Sequence, residues 1–448
     1  MEIDTARMQV TVADAGALAA WNKLIHAVLA HRADAPQHLQ QVLAAAPGWA
    51  MAHAAQSLFA MMAGRRELVI AAQSAAKAAE KALAKNGGTA RERAWVAAAL
   101  AWTGGRPDIA AAQLGSIVVA HPGDTLTLKV AHAVRFMIGD AAGMRHDAET
   151  AIHAHGADHP LTGYAHGCLA FAREETGAFQ AAEAAGYIAL DRAQDDAWGL
   201  HAIAHVYEMT HQTARGIALI DANSGAWQHS NNFRFHVWWH KALLHLDRAE
   251  HDLVLALYDQ KIRSEQTDDY RDIANAASLL SRLELEGISV GDRWRALAEL
   301  AEQRSDDGSL AFADLHYLLA LVGDGRGQVA QTMAERMAPS DTAMPCSTPA
   351  RDVAQGMIAF AAGRYAQACD SLMAALPNLQ TIGGSHAQRD VFERLAIEAG
   401  MRAGAFDQTE QALACRRARR AGTKDAFAAA RLAQIQFARL ASAAMIAE

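Results

Sequence analysis

Apolar residues recur along this chain at helical rather than alternating spacing; Leu253, Val254 and Leu257, for instance, keep the i, i+3, i+4 rule. Short glycine-bearing turns interrupt the pattern every 34 to about 42 residues, at Gly64, Gly104-Gly105, Gly139, Gly177, Gly287 through Gly291, Gly323, Gly363 and Gly404. Two turns keep the rhythm without glycine, Gln212-Thr213-Ala214 and Arg248-Ala249-Glu250. This period suits helix–turn–helix repeats of the tetratricopeptide type, and Gly363-Arg364-Tyr365-Ala366-Gln367-Ala368 is the segment most typical of them. One such hairpin cannot bury its apolar face, whereas a stack of them buries one continuous core and leaves a concave surface. The pattern predicts an all-α fold of tetratricopeptide-like helical hairpins forming an α-solenoid or compact horseshoe. Residues 1–40 are less regular and are expected to form an N-terminal helical cap, with residues 41–448 as the repeat domain. Pro160, Pro339, Pro345, Pro349 and Pro377 fall between helical stretches, and Ala338 to Pro349 is the expected long loop.

Composition narrows the class. Of 448 residues 52% are hydrophobic and only 9 are proline, which excludes disorder and argues against all-β or collagen-like folds. A net charge of −8 gives no basic footprint for nucleic acid. No run of 18 apolar residues offers a membrane span, and Met1-Glu2-Ile3-Asp4 shows no apolar secretory segment. Cys168, Cys346, Cys369 and Cys415 lack paired spacing and are expected to be reduced, buried thiols of a cytoplasmic protein.

Histidine changes the picture most. Of 21 histidines, 14 lie between His132 and His251. His201, His205 and Glu208 stand at i, i+4 and i+7, on one helix stripe, and His236 and His240 repeat the i, i+4 spacing. Each of the second pair follows its counterpart by 35 residues, one repeat, and His166 precedes His201 by another 35. Equivalent positions of adjacent repeats face the same side, so both pairs should share one surface. Such imidazoles bind a divalent transition metal such as Zn²⁺, with Glu208 able to complete a two-His-one-carboxylate set. Without metal they form an acid–base site, because imidazole titrates near neutrality. A third reading is that they hydrogen-bond inside an alanine-lined core. His205-x-x-Glu208 is not the order of a zincin motif.

Other residues are candidates for the same surface. Trp239 shares the stripe of His236 and His240 and would wall the pocket, while Trp238 points elsewhere and reads as core, alongside Trp198 and Trp227. Asp314 and His316 begin a later helix, where solvent-edge residues are the plainer reading and at most one should face the pocket. Gly383-Gly384 precede Ser385, His386, Gln388, Arg389 and Asp390; Ser385 with Gln388 fits a capping box, leaving His386, Arg389 and Asp390 as candidate substrate contacts. Arg416-Arg417-Ala418-Arg419-Arg420 reads as a solvated helix face. Nucleophile elbows, P-loops and dinucleotide fingerprints are absent from the sequence.

In order and spacing, these motifs resemble the tetratricopeptide repeat protein 38 family from about Thr89 to Leu395, helped by Asp196-Ala197-Trp198 and by Ser278 through Leu285. The resemblance implies an all-helical repeat protein. It makes His201, His205, Glu208, His236, His240, Asp314, His316, Arg389 and Asp390 family-motif residues, without implying an activity. Val237-Trp238 departs from the polar–aromatic pair more often found inside the second histidine motif. Two functions follow as expectations. One is a small-molecule site, a hydrolase, lyase or isomerase in which a histidine is the base, Glu208 or Asp390 orients it and Arg389 meets an anionic substrate group. The other is a scaffold for a protein or peptide partner. Neither nucleic acid nor membrane is an expected partner, and a homo-oligomer is left open.

Overall fold

The computed structural model describes residues 2–337 and 346–447. Among these residues the chain is all-α, with 23 α-helices and one antiparallel pair of two-residue strands, β1 (Glu2–Ile3) and β2 (Gln9–Val10), in which Glu2 opposes Val10. Contacts divide it into two compact units, Met1–Val206 with Leu219–Val237, and Tyr207–Ala218 with Trp238–Glu448.

In the first unit α1 (Ala15–Leu29) packs on α2 (Ala35–Ala45), α3 (Ala50–Met62) on α4 (Arg66–Asn86) and α5 (Ala90–Thr103) on α6 (Pro107–Ala120). Likewise α7 (Thr125–Met137) packs on α8 (Ala141–Ile152), and α9 (Thr162–Glu175) on α10 (Phe179–Arg192). First helices of successive hairpins also touch, α3 with α5 and α7 with α9. α11 (Ala197–Met209), α12 (Thr213–Ala222) and α13 (Phe233–Leu246) carry the chain across the boundary.

In the second unit α14 (His251–Leu257) runs into a π-helical turn, Tyr258–Ile262. There α15 (Tyr270–Leu285) packs on α16 (Arg293–Arg304), α17 (Ala311–Gly323) on α18 (Gly327–Arg336), α19 (Ser347–Ala361) on α20 (Tyr365–Ala375) and α21 (His386–Ala403) on α22 (Phe406–Arg419); α23 (Ala426–Ala447) follows. α15 touches not only α17 but also α21, so this unit departs from a strict nearest-neighbour stack.

Helix pairs close because small residues line them: a Cβ on Gly186 would stand 2.4 Å from the Ile203 side chain. The turns follow the predicted rhythm with local shifts. Gly363 takes the left-handed conformation (φ 73°), but in the two glycine-free turns that position falls to His211 (φ 55°) and Ala249 (φ 56°). At the turn after α17 it is Gly325 (φ 73°), while Gly323 ends the helix against Trp294. Leu253 points outward, and Val254 and Leu257 alone supply the buried face of α14. Pro349 lies in the first turn of α19, where its missing N–H costs no helical bond; Ala338 through Pro345 of the expected loop lie outside the described residues. Among the described residues no helix is long and apolar enough to cross a membrane.

Candidate metal centre

The site begins with how α11 starts. Asp196 precedes the helix, and its Oδ1 accepts a hydrogen bond from the Trp198 backbone N–H (3.2 Å). Gly167 on α9 makes room for this cap: a Cβ there would stand 2.2 Å from Asp196 Oδ2. α9 and α11 therefore approach closely, and the next inward turns of α11 carry His201 and His205. His236 comes from the first turn of α13. All three imidazoles are buried, at 2%, 0% and 9% exposure.

Their Nε2 atoms converge. His201 Nε2 lies 2.9 Å from His205 Nε2 and 2.9 Å from His236 Nε2, and one nitrogen from each ring falls within 4.8 Å of the others. An imidazole nitrogen is either one donor or one acceptor, so His201 Nε2 cannot make two full hydrogen bonds at once. A bound cation would instead accept a lone pair from each ring. An ion at zinc–imidazole distance holds ligand nitrogens about 3.3 Å apart, so the rings need open by only a few tenths of an ångström. Behind His205, Nδ1 sits 3.4 Å from Oε2 of Glu174, and both side chains are fully buried. A carboxylate on Nδ1 fixes the tautomer that leaves the Nε2 lone pair for a metal. Phe171 stacks on His201 (5.3 Å), and Trp198 (4.9 Å) and Phe233 (5.2 Å) complete an aromatic wall around it. His31, in the turn after α1, stacks in turn on Phe233 at 4.6 Å.

The structure thus brings three of the expected histidines together in the first unit. His240 belongs to the second, where Glu208 Oε2 lies 3.1 Å from its Nδ1. His166 is half-buried, and burial lowers its pKa; it is not one of the converging rings.

Several expectations are corrected. Trp239 is fully buried within the second unit's hydrophobic core, with the Arg282 guanidinium 5.6 Å from its ring, whereas Trp238 is the half-exposed one, near Lys241 and Lys261. Asp314 and His316 are buried rather than at a solvent edge. Burial, reinforced by the Asp307 charge, lifts the Asp314 carboxyl to about 7. His316 is pushed down to about 4 by burial, its Nδ1 2.7 Å from the Phe312 carbonyl. Ser385 and Gln388 form the expected capping box. His386 opens α21 half-buried, and the Arg389 side chain turns back to donate to the Gly384 carbonyl.

Asp390 does not orient a histidine. Burial alone would raise its carboxyl, but Arg416 (2.5 Å) and Arg394 (2.7 Å) hold it well below the ordinary carboxylate range. The arginine run is therefore split by helix geometry: Arg417 and Arg419 are exposed, while Arg416 and Arg420 are buried among Asp390, Asp425 and Asp247. Of the thiols, Cys168 and Cys369 are buried, Cys346 is intermediate and Cys415 is exposed. A cleft of about 330 Å³ in the second unit, lined by Tyr258, Arg263, Gln266 and Arg293, contains no predicted site residue.

Sequence reasoning missed Glu174 and, on the neighbouring α7, Lys129 and His132. The available signal was the same repeat spacing: His166 and His132 lie 34 residues apart, and His132 and His201 flank it on either side. No model of a known protein family matches the chain.

Proposed function

We propose that the protein binds a divalent transition metal, zinc before others, through Nε2 of His201, His205 and His236, and uses it on a small molecule. One observation carries this reading: a single nitrogen, His201 Nε2, lies 2.9 Å from two others. Imidazole nitrogens are among the usual ligands of zinc. Bound there, the ion would supply a Lewis acid and lower the pKa of a coordinated water. The chain's own part is to hold the three rings, to fix the His205 tautomer through Glu174 and to keep bulk water out with Phe171, Trp198 and Phe233. Hydrolysis is the reaction class that suits this set.

We further read the helix hairpins as repeats of tetratricopeptide type and the chain as a relative of the tetratricopeptide repeat protein 38 family. Paired successive helices and first-helix contacts between neighbouring hairpins support this. Four free cysteines suit a reducing, cytoplasmic setting.

The test is metal analysis of untagged protein, as purified and after dialysis against zinc or cobalt(II). Close to one metal per chain is expected, with a tetrahedral cobalt spectrum, and a folded His201→Ala/His236→Ala variant should bind none. Wild-type protein that stays folded and takes up neither ion would overturn the reading.

A further inference from the structure

Trp198 also meets a second group of buried polar atoms, supplied by one face of α7. Lys129, His132 and Phe136 follow one another at i, i+3 and i+7, and each packs on Trp198. The Lys129 ammonium stands 4.5 Å from the ring centroid, His132 meets it edge-on at 5.7 Å and Phe136 at 6.2 Å. His132 also meets Phe171 at 5.7 Å.

What sets these residues apart is their hydrogen bonding. His132 is 1% exposed, yet among the described residues neither ring nitrogen has a hydrogen-bond partner, and Trp198 Nε1 has none either. Lys129 is 8% exposed, and no hydrogen bond or ion pair to its ammonium is present among the described residues. Buried polar groups in folded proteins are nearly always paired, and a buried charge without a partner is costly. Asp196, the nearest acid by charge, caps α11 through Oδ1; its Oδ2 is buried without a hydrogen bond among the described residues, and burial lifts its carboxyl to about 7 even with Lys129 nearby. Burial lowers the pKa of Lys129 and pushes His132 down to about 3, so His132 is neutral near pH 7. The group therefore offers the ammonium, the indole N–H and one imidazole N–H as donors, with one imidazole nitrogen as acceptor.

We propose that Lys129, His132 and Trp198 form a subsite for the anionic oxygen group, carboxylate or phosphate, of a small molecule. The three donors meet its oxygens, Lys129 balances its charge, and the remaining imidazole nitrogen accepts from a protonated oxygen or a hydroxyl. Trp198 is common to both groups: its ring also lies 4.9 Å from His201. None of the three residues is in the proposed metal-ligand set, so the subsite stands or falls independently of the metal.

Chelator-treated wild-type protein should show a saturable rise in melting temperature with sodium acetate or sodium phosphate, against sodium chloride at equal ionic strength. The better of the two identifies the oxyanion. Lys129→Met should lose that rise and melt higher than wild type in plain buffer, because an unpaired buried charge is replaced by a side chain of similar length. His132→Phe gives a second variant, expected to fold and to weaken the anion response at least tenfold. A wild-type protein indifferent to both anions, or a Lys129→Met variant that responds as wild type does, would overturn the proposal.

Discussion

His205 Nδ1 and Glu174 Oε2 face each other at 3.4 Å across α11 and α9, each side chain removed from solvent. The contact matters for what it does at the far side of the ring. A carboxylate this close to Nδ1 favours the proton on that nitrogen and raises the basicity of Nε2, the atom that joins the converging set. Glu174→Gln keeps the shape and removes the charge. Zinc affinity, measured by competition with a chromophoric chelator, is expected to fall about 10- to 100-fold. Unchanged affinity would make Glu174 a structural residue.

The closeness of α9 and α11 should be sensitive to a single methyl group. Gly167→Ala places a Cβ 2.2 Å from Asp196 Oδ2, so either the cap of α11 or the helix pair must move. Overpacking of this kind costs about 1 to 3 kcal/mol. Urea unfolding should show that loss, and zinc binding should weaken with it because His201 and His205 ride on the displaced helix.

In the second unit, Asp390 anchors a buried network rather than chemistry. Asp390→Asn leaves Arg416 and Arg394 short of a buried carboxylate, and breaking such a pair costs about 3 to 5 kcal/mol. The double variant Asp390→Asn/Arg416→Met should lose less than the sum of the two single changes, because the residues share one contact. Strict additivity would show that the pair is not coupled.

Asp314 gives a pH signature. Folded, it holds its proton up to about 7, whereas the unfolded chain releases it near 3.8. Between those values the native state binds more protons, so this group's contribution to stability falls as pH rises from about 4 to about 7 and is level beyond. Asp314→Asn cannot ionise and should gain on wild type across that window, by up to about 1.4 kcal/mol per pH unit. Urea melts at pH 4.5 and 7.5 measure the difference; a constant gap would remove the ionisation from the account.

Helix periodicity and turn glycines were enough to read the all-α architecture, because both are local. The repeat spacing of 35 residues likewise placed His201 and His236 on facing positions. It did not reveal that a unit boundary falls between His236 and His240, since periodicity carries no information about where contacts thin out. Glu174 was illegible for another reason: in Glu174-Glu175-Thr176-Gly177 it resembles any acidic residue near a helix end, and only packing against α11 shows it buried. The arginine run was misread because composition suggests solvent, whereas the i, i+4 relation of Arg416 to Arg420 puts both beside acids from α21 and from elsewhere in the second unit. Trp238 and Trp239 exchanged roles because adjacent residues on a helix point about 100° apart, and the histidine stripe alone did not say which direction was the core.

The first unit is discontinuous in sequence, taking in Leu219–Val237 after Tyr207–Ala218 has left it. That late return is clasped to the beginning of the chain: the Asn231 N–H donates to the His31 carbonyl at 2.7 Å, and Arg32 bridges Ser230. On the ribosome, His236 follows His205 by roughly 2 to 6 s at ordinary elongation rates. A nascent chain therefore carries two imidazoles of the cluster before the third exists, and its opening hairpin waits for the clasp. Any fragment that stops short of Ser230 lacks both, so the gene cannot be trimmed to the first two hundred codons and still encode the cluster.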